Sequence, residues 1–152
     1  QSGAYPRAAA AVDPRVELFM EAAPLLVPLV EEGWLEGEVP ELVVRRYLRP
    51  LVAQRIDALV LGCTHYPLLH ELIARELAAQ SGEALPVVDS AHATAEQLAN
   101  QLRERGLANA NANDQAGSLR MLVTDMPRKF SEVASRFLGS AVDALDVSAI
   151  DL

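Results

Sequence analysis

The sequence predicts an α/β protein built on a parallel sheet, and two observations carry that prediction. Short apolar runs within DALVLGC (57–63), ALPVVDS (84–90) and LRMLVTD (119–125) have the length of strands, and the first run is typical of a strand buried on both faces of a parallel sheet. Longer stretches with apolar residues at helical spacing lie between and around them. Strands that alternate with helices form βαβ units, in which the strands are parallel and helices cover the sheet. The tail VDALDVSAIDL (142–152) predicts a last edge strand.

Two helices are predicted around the first apolar run. The segment PELVVRRYLRPLVAQRI (40–56) has helical spacing, and Pro50 is expected to kink it or end its first half. After the run, Pro67 suits the first turn of a helix. The following LLHELIARELA (68–78) places apolar side chains on one face, at Leu68, Leu69, Leu72, Ile73 and Leu77.

Two more helices are predicted in the second half of the chain. TAEQLANQLRERG (94–106) begins with a Thr94–Gln97 capping box and ends at Gly106, although Asp89 and Ser90 also suit a helix start. The helix PRKFSEVASRFLG (127–139) is expected to turn four residues inward, Phe130, Val133, Ala134 and Phe137.

Three segments predict loops. The opening 1–19 is rich in small residues, and 107–118 is polar and of low complexity, which indicates a mobile loop. Between them, Pro24 and Pro28 interrupt an apolar stretch, so short pieces feeding a loop are expected there rather than one continuous helix.

Composition excludes several functions. The net charge of −8 would repel a phosphate backbone, so we expect no nucleic-acid partner, and no apolar stretch is long enough to predict a membrane partner. A single cysteine among 152 residues favours a reducing, cytoplasmic location. No Gly-rich phosphate loop is present, and Cys63, His65 and His70 lack zinc-ligand spacing, so no metal site is predicted.

Cys63 is the residue with the clearest chemical potential. It lies just past the carboxyl end of a predicted strand, where ligands bind in open parallel sheets, and Gly62 before it permits a sharp turn. If the extended backbone continues, Cys63 and His65 share a face. A following helix N-terminus and a protonated His65 would both favour a thiolate. A buried structural cysteine is about equally expected from this pattern alone.

Four stretches together resemble the glutamate racemases, a family that makes D-glutamate for bacterial peptidoglycan. LVLGCTHYPLL (59–69) resembles the second cysteine motif of that family. SGAY (2–5) resembles the start of its second lobe, and PLLVPLVEEG (24–33) a stretch with an active-site glutamate. VVDSAHATA (87–95) resembles the turn after which the chain returns to the first lobe.

The resemblance implies a fold of two α/β lobes with the substrate between them and one cysteine from each lobe. In such an isomerase one thiolate removes the α-proton of glutamate and the opposite thiol delivers a proton to the other face, without a cofactor. By resemblance, Cys63 is the acid/base thiol, His65 assists it, and Thr64 contacts the substrate. Glu31 aligns with the acidic residue, with Glu32 beside it as the alternative.

The resemblance also implies that the first lobe is largely missing, because its DSG and ACNT segments are absent. Residues 1–92 are then most of the second lobe, and 93–152 return to pack on the absent first lobe. We therefore expect a carboxy-terminal part of a glutamate racemase, inactive alone, with exposed apolar area and a tendency to self-associate. A homo-oligomer stays open, and so do two other functions, a non-enzymatic binding fragment and a thiol hydrolase that uses Cys63 and His65.

Overall fold

The structure is a computed structural model that describes residues 3–109, 119–138 and 146–151, the side chains of 127–129 excepted. The mobile loop expected at 107–118 lies outside the described residues from position 110 onward. The elements in chain order are α1 (Ala4–Val12), α2 (Leu26–Glu31), α3 (Glu38–Val52), β1 (Leu59–Leu61), a 3₁₀ helix (Tyr66–Leu69), α4 (His70–Ser81), β2 (Val87–Asp89), α5 (Ser90–Glu104), β3 (Arg120–Val123), α6 (Pro127–Leu138) and β4 (Asp146–Ala149).

The chain divides into two compact units. The helical unit comprises Gln1–Val60 and Leu69–Val88, and the cysteine unit comprises Leu61–Leu68 and Asp89–Leu152. The division of the chain into lobe segments 1–92 and 93–152 stays a prediction. Among the described residues, no helix is both long and apolar enough to cross a membrane.

Helix α1 corrects the expectation of a loop at the start of the chain. Its sequence AYPRAAAAV is rich in alanine, which has the highest intrinsic helix propensity. Pro6 stands in the first turn of α1. The N–H groups of a first turn have no acceptor within the helix, so proline, which lacks an N–H, is tolerated there. None of its residues is buried, so no apolar face marked it in the sequence.

The two prolines of the next segment act as expected. Helix α2 is only six residues long, begins after Pro24, and holds Pro28 in its first turn. Pro50 behaves differently from the prediction, because α3 runs on through it to Val52. Pro50 stands in the last turn of α3, so the helix has little length left to lose there.

The core of the helical unit lies between α3 and α4, with α2 against α3. The predicted apolar face of α4 is confirmed at Leu72, Ile73 and Leu77, which are buried. The other buried apolar residues of this unit are Leu26 and Val30 on α2, Val44 and Leu48 on α3, Leu59 on β1 and Leu69 at the end of the 3₁₀ helix. Each such side chain stabilises the fold by about 1.5–3 kcal/mol relative to exposure.

Two ion pairs join the same helices beside the apolar contact. The Arg45 guanidinium on α3 donates to both Glu76 carboxylate oxygens on α4, at 2.9 and 3.3 Å. The Glu76 side chain is only 8% exposed, and this carboxylate raises the pKa of Arg45 above its ordinary value. Arg75 on α4 donates to Glu41 on α3 at 2.9 Å, in a more exposed position.

The strands correct one part of the predicted sheet. Within the described residues they form two two-stranded sheets, β1 with β2 and β3 with β4, rather than one sheet. Strand β1 was expected to be buried on both faces, but Leu59 and Leu61 are buried while Val60 is 56% exposed. The alternation follows from strand geometry, since neighbouring side chains point to opposite faces and only one face of β1 is covered.

The start of α5 is also corrected. The helix begins at Ser90, before the predicted Thr94–Gln97 capping box, and Asp89 is its N-cap as the alternative reading had it. One Asp89 carboxylate oxygen accepts from the backbone N–H groups of Ala91 and His92, at 2.8 and 3.0 Å. These bonds, led by the one from His92, lower the pKa of Asp89. Gly106 follows the helix at a φ of 66°, as its predicted terminator.

The cysteine unit contains a β3–α6–β4 segment with parallel strands. Arg120 pairs with Asp146 and Val123 with Ala149, which confirms the predicted last strand. Of the α6 residues expected to face inward, Ala134 is buried, whereas Phe130 and Phe137 are 39% and 41% exposed. The two rings therefore keep substantial apolar surface in contact with solvent.

Candidate active site

The candidate site is a tight turn directly after β1. The backbone N–H of Tyr66 donates to the Cys63 carbonyl, and that of Leu68 donates to the His65 carbonyl, both at 3.2 Å. These bonds lead into the 3₁₀ helix and then into α4. The condition under which Cys63 and His65 would share a strand face is not met, because the chain bends at Cys63 and turns at Thr64 and His65.

Cys63 is a free thiol in a half-buried position. A fully buried sulfur would be a small core residue, and a fully exposed one would react without selectivity. Partial burial leaves the thiol within reach of a small molecule while its position is held by the turn. This geometry favours the reactive alternative over the purely structural one.

Thr64 and His65 lie in the same turn as Cys63. The Thr64 hydroxyl is 3.5 Å from the Nδ1 atom of His65, at the outer limit of a hydrogen bond. Thr64 is exposed and His65 is half-buried. Three of the four site residues named from the sequence are therefore brought together by one short segment.

A residue missed by the sequence analysis also contacts this turn. The ring of Phe137, on α6, packs against the imidazole of His65 with centroids 5.7 Å apart and planes at 83°. Both residues belong to the cysteine unit. This is the edge-to-face arrangement that aromatic rings prefer. Helical spacing predicts that Phe137 faces inward, but it does not indicate that the ring contacts His65.

Glu31, the fourth predicted residue, is the last residue of α2 in the helical unit. Its side chain is half-buried, whereas Glu32, the helix C-cap, is exposed. The difference in burial favours Glu31 over Glu32 as the more constrained of the two carboxylates. Its part in a site stays a prediction from the resemblance.

No cluster of three or more Cys, His, Asp or Glu side chains suited to a metal ion occurs in the part of the chain that the structure describes. The groups assembled at the turn are a thiol, a hydroxyl and an imidazole. Such groups can exchange protons with a bound molecule and hydrogen-bond to it.

Comparison with known proteins identifies the class. The family described as Asp/Glu/Hydantoin racemase matches residues 7–98, more than half of the chain and including the turn at Cys63. The protein therefore belongs to the Asp/Glu/Hydantoin racemase family.

Within that family, the similar proteins are glutamate racemases. The glutamate racemase of Neisseria meningitidis serogroup C is 46% identical over 149 residues, which cover 98% of this chain and 53% of the relative. A crystal structure of a Bacillus anthracis glutamate racemase matches with a TM-score of 0.84 at 33% identity, over 100% of this chain and 53% of that one. One from Francisella tularensis, in complex with D-glutamate, has a TM-score of 0.83 at 31% identity and coverages of 99% and 53%.

These matches confirm the predicted α/β class and the resemblance to glutamate racemases. The chain spans about half the length of the curated relatives that it matches. It therefore corresponds to part of those proteins rather than to the whole of them.

Proposed function

We propose that this chain carries one thiol of a glutamate racemase that interconverts L- and D-glutamate. The observation that supports this most strongly is the position of its only cysteine. Cys63 follows β1 after a single glycine, Gly62, and is half-buried. The chain that carries it is 46% identical to a glutamate racemase over 149 residues. A similar solved racemase holds D-glutamate, which favours the same substrate here.

Inversion at the α-carbon requires two groups on opposite faces of the substrate. A single base would return the proton to the face that it left. In the proposed reaction the Cys63 thiolate accepts the α-proton while a thiol from the first lobe donates a proton to the opposite face. The two groups exchange protonation states, and the reverse reaction then begins from the product. General acid–base steps of this kind accelerate reactions by about 10²–10⁴-fold each.

The neighbours of Cys63 have supporting roles in this proposal. His65 assists formation of the thiolate, and the exposed Thr64 hydroxyl binds the carboxylate or amino group of glutamate. No cofactor takes part, so positioning and exclusion of water must help with a weakly acidic C–H bond.

Glu31 is proposed as an acidic residue of the same site. Its test is a comparison of Glu31→Gln with Glu32→Gln, since both substitutions remove one carboxylate from adjacent positions. Both variants are measured in the mixture with the first half of a related enzyme described below, and a loss of racemisation for Glu31→Gln but not for Glu32→Gln supports the proposal. Equal effects of the two substitutions contradict it.

The proposed partner of this chain is the first lobe of the same enzyme, packed in part on residues 93–152. The exposed Phe130 and Phe137 rings fit such a contact, because they are apolar and in solvent. We expect the chain alone to be inactive and to self-associate less when the first lobe is added. The D-glutamate produced would serve peptidoglycan synthesis, and hence the cell wall and cell shape, in the cytoplasm.

The experiment measures D-glutamate formed from L-glutamate by the chain alone, and by the chain mixed with the first half of the Neisseria meningitidis enzyme. We expect activity only in the mixture and a loss of at least about 10²-fold for Cys63→Ala. Activity of the chain alone would overturn the two-thiol mechanism. A mixture that binds but does not racemise would favour the non-enzymatic alternative.

A variant of the added half without its own cysteine gives the sharper measurement. In heavy water, Cys63 should then exchange the α-proton of one glutamate enantiomer for deuterium without inverting it. Exchange in neither enantiomer, or equally in both, contradicts the role of Cys63 as a base on one face. The Cys63→Ala chain in the same mixture is the control.

A further inference from the structure

Phe137 lies outside the turn formed by Cys63, Thr64 and His65 and makes a ring contact with it. It lies on α6, far along the chain from His65, yet the two rings meet edge to face at 5.7 Å. We propose that Phe137 is a positioning residue, which holds the His65 imidazole in the orientation in which it assists Cys63. The inference rests on the proposed function, because it presumes that His65 acts on the thiol.

His65 lies in a tight turn between β1 and the 3₁₀ helix, and it is half-buried. The hydrogen-bond geometry to Thr64 is marginal at 3.5 Å. An aromatic ring at 83° restricts rotation of the imidazole about its side-chain bonds and excludes water from one side.

Phe137 is also suited to this task by its own location. Ala134, one turn earlier on α6, is buried and anchors that part of the helix. Phe137 itself stays 41% exposed, so its ring adds less to the core than a buried phenylalanine would. A substitution of Phe137 therefore removes the contact with His65 at a smaller loss of core packing than at a buried phenylalanine.

The single cysteine makes the test direct, because thiol alkylation of this chain can occur only at Cys63. The thiolate is the reacting species, so the alkylation rate by iodoacetamide reports on the assistance given by His65. We expect Phe137→Leu to slow alkylation by roughly two- to tenfold, the range that one aromatic pair accounts for. Phe137→Tyr keeps the ring and should restore the rate.

A double-mutant cycle shows whether Phe137 acts through His65. In a His65→Ala background, Phe137→Leu should cause no further change. An equal slowing with and without His65, or a faster reaction from a more open thiol, overturns the proposal. Phe130→Leu is the matched control, since Phe130 is similarly exposed and about 10 Å away along the same helix.

NMR of the imidazole protons separates this inference from the proposed function. The ring current of Phe137 displaces the His65 Hδ2 and Hε1 resonances, so Phe137→Leu should shift them, Phe137→Tyr should not, and Phe130→Leu should leave them in place. Unmoved resonances in Phe137→Leu overturn the positioning role. If the resonances move but His65→Ala leaves the alkylation rate unchanged, the contact stands and the assigned role of His65 in the proposed function is wrong.

Discussion

The helical unit and the cysteine unit differ in how they are held together. In the helical unit, α2, α3 and α4 share a continuous set of buried apolar residues, bordered by two ion pairs. In the cysteine unit, Leu61 and Ala134 are the buried apolar residues among those described. Among the described residues, the unit with less buried apolar surface is the one that carries the thiol. The described core and the proposed chemistry therefore lie in different units of the chain.

The largest loss of stability is expected from Leu77→Ala, in the core of the helical unit. Leu77 is fully buried on α4, so the variant should lose about 2–5 kcal/mol of unfolding free energy, measured by urea denaturation. Leu42→Ala on α3 removes the same atoms from an exposed side chain and should change stability by less than about 0.5 kcal/mol. Similar losses for the two variants would show that the core of the helical unit lies elsewhere.

A smaller effect is expected from Arg45→Met, which leaves Glu76 buried without its cation. The matched variant is Arg75→Met, because its partner Glu41 is 35% exposed and can be hydrated instead. We expect a lower Tm for Arg45→Met than for Arg75→Met. The loss should stay below that of Leu77→Ala, since the Arg45 guanidinium itself is reached by water. Equal Tm values for the two arginine variants would contradict the importance of the buried carboxylate.

The smallest effect is expected at Asp89 and depends on pH. Its pKa is lower in the folded chain than the ordinary 3.8, so the unfolded chain takes up its proton first as the pH falls. The stabilisation by the cap is therefore complete well above pH 3.8 and is lost as the pH falls through the folded-state pKa.

Asp89→Asn removes the negative charge of the carboxylate but keeps a side chain that can cap the helix. At pH 7 it should be nearly as stable as the wild type, because asparagine also caps helices, whereas Asp89→Ala should be less stable. Thermal unfolding from pH 7 to pH 3 should show a shallower decline for Asp89→Asn than for the wild type. Parallel declines would mean that Asp89 does not contribute to the acid sensitivity.

The parts of the fold that could be predicted are those with a local cause. The apolar period of α4 and the short runs of β1, β2 and β3 each follow from which residues must be buried. Cys63 could be placed at a strand end for the same reason. Helix α1 could not be found in this way, because it buries nothing and its signal is alanine propensity alone.

The missed features depend on choices between local signals or on distant contacts. At the start of α5, Asp89 and Thr94 both fit a cap, and the structure selects Asp89 because the helix begins directly after β2. The contact of Phe137 with His65 joins residues far apart in sequence, and no local pattern encodes it. The exposure of Val60 likewise depends on which neighbours the strand finds.

The parallel pairing of β3 with β4 has a consequence for the order in which the chain is made. Parallel neighbours cannot be joined by a tight turn. During synthesis, β3 therefore cannot pair with β4 until α6 and then β4 have left the ribosome. Phe137 also emerges late, on that same connecting helix. The nascent chain therefore presents Cys63 well before the segment that packs beside His65 exists. Until that segment is made, the turn at Cys63 lacks the aromatic contact that the folded chain provides beside His65.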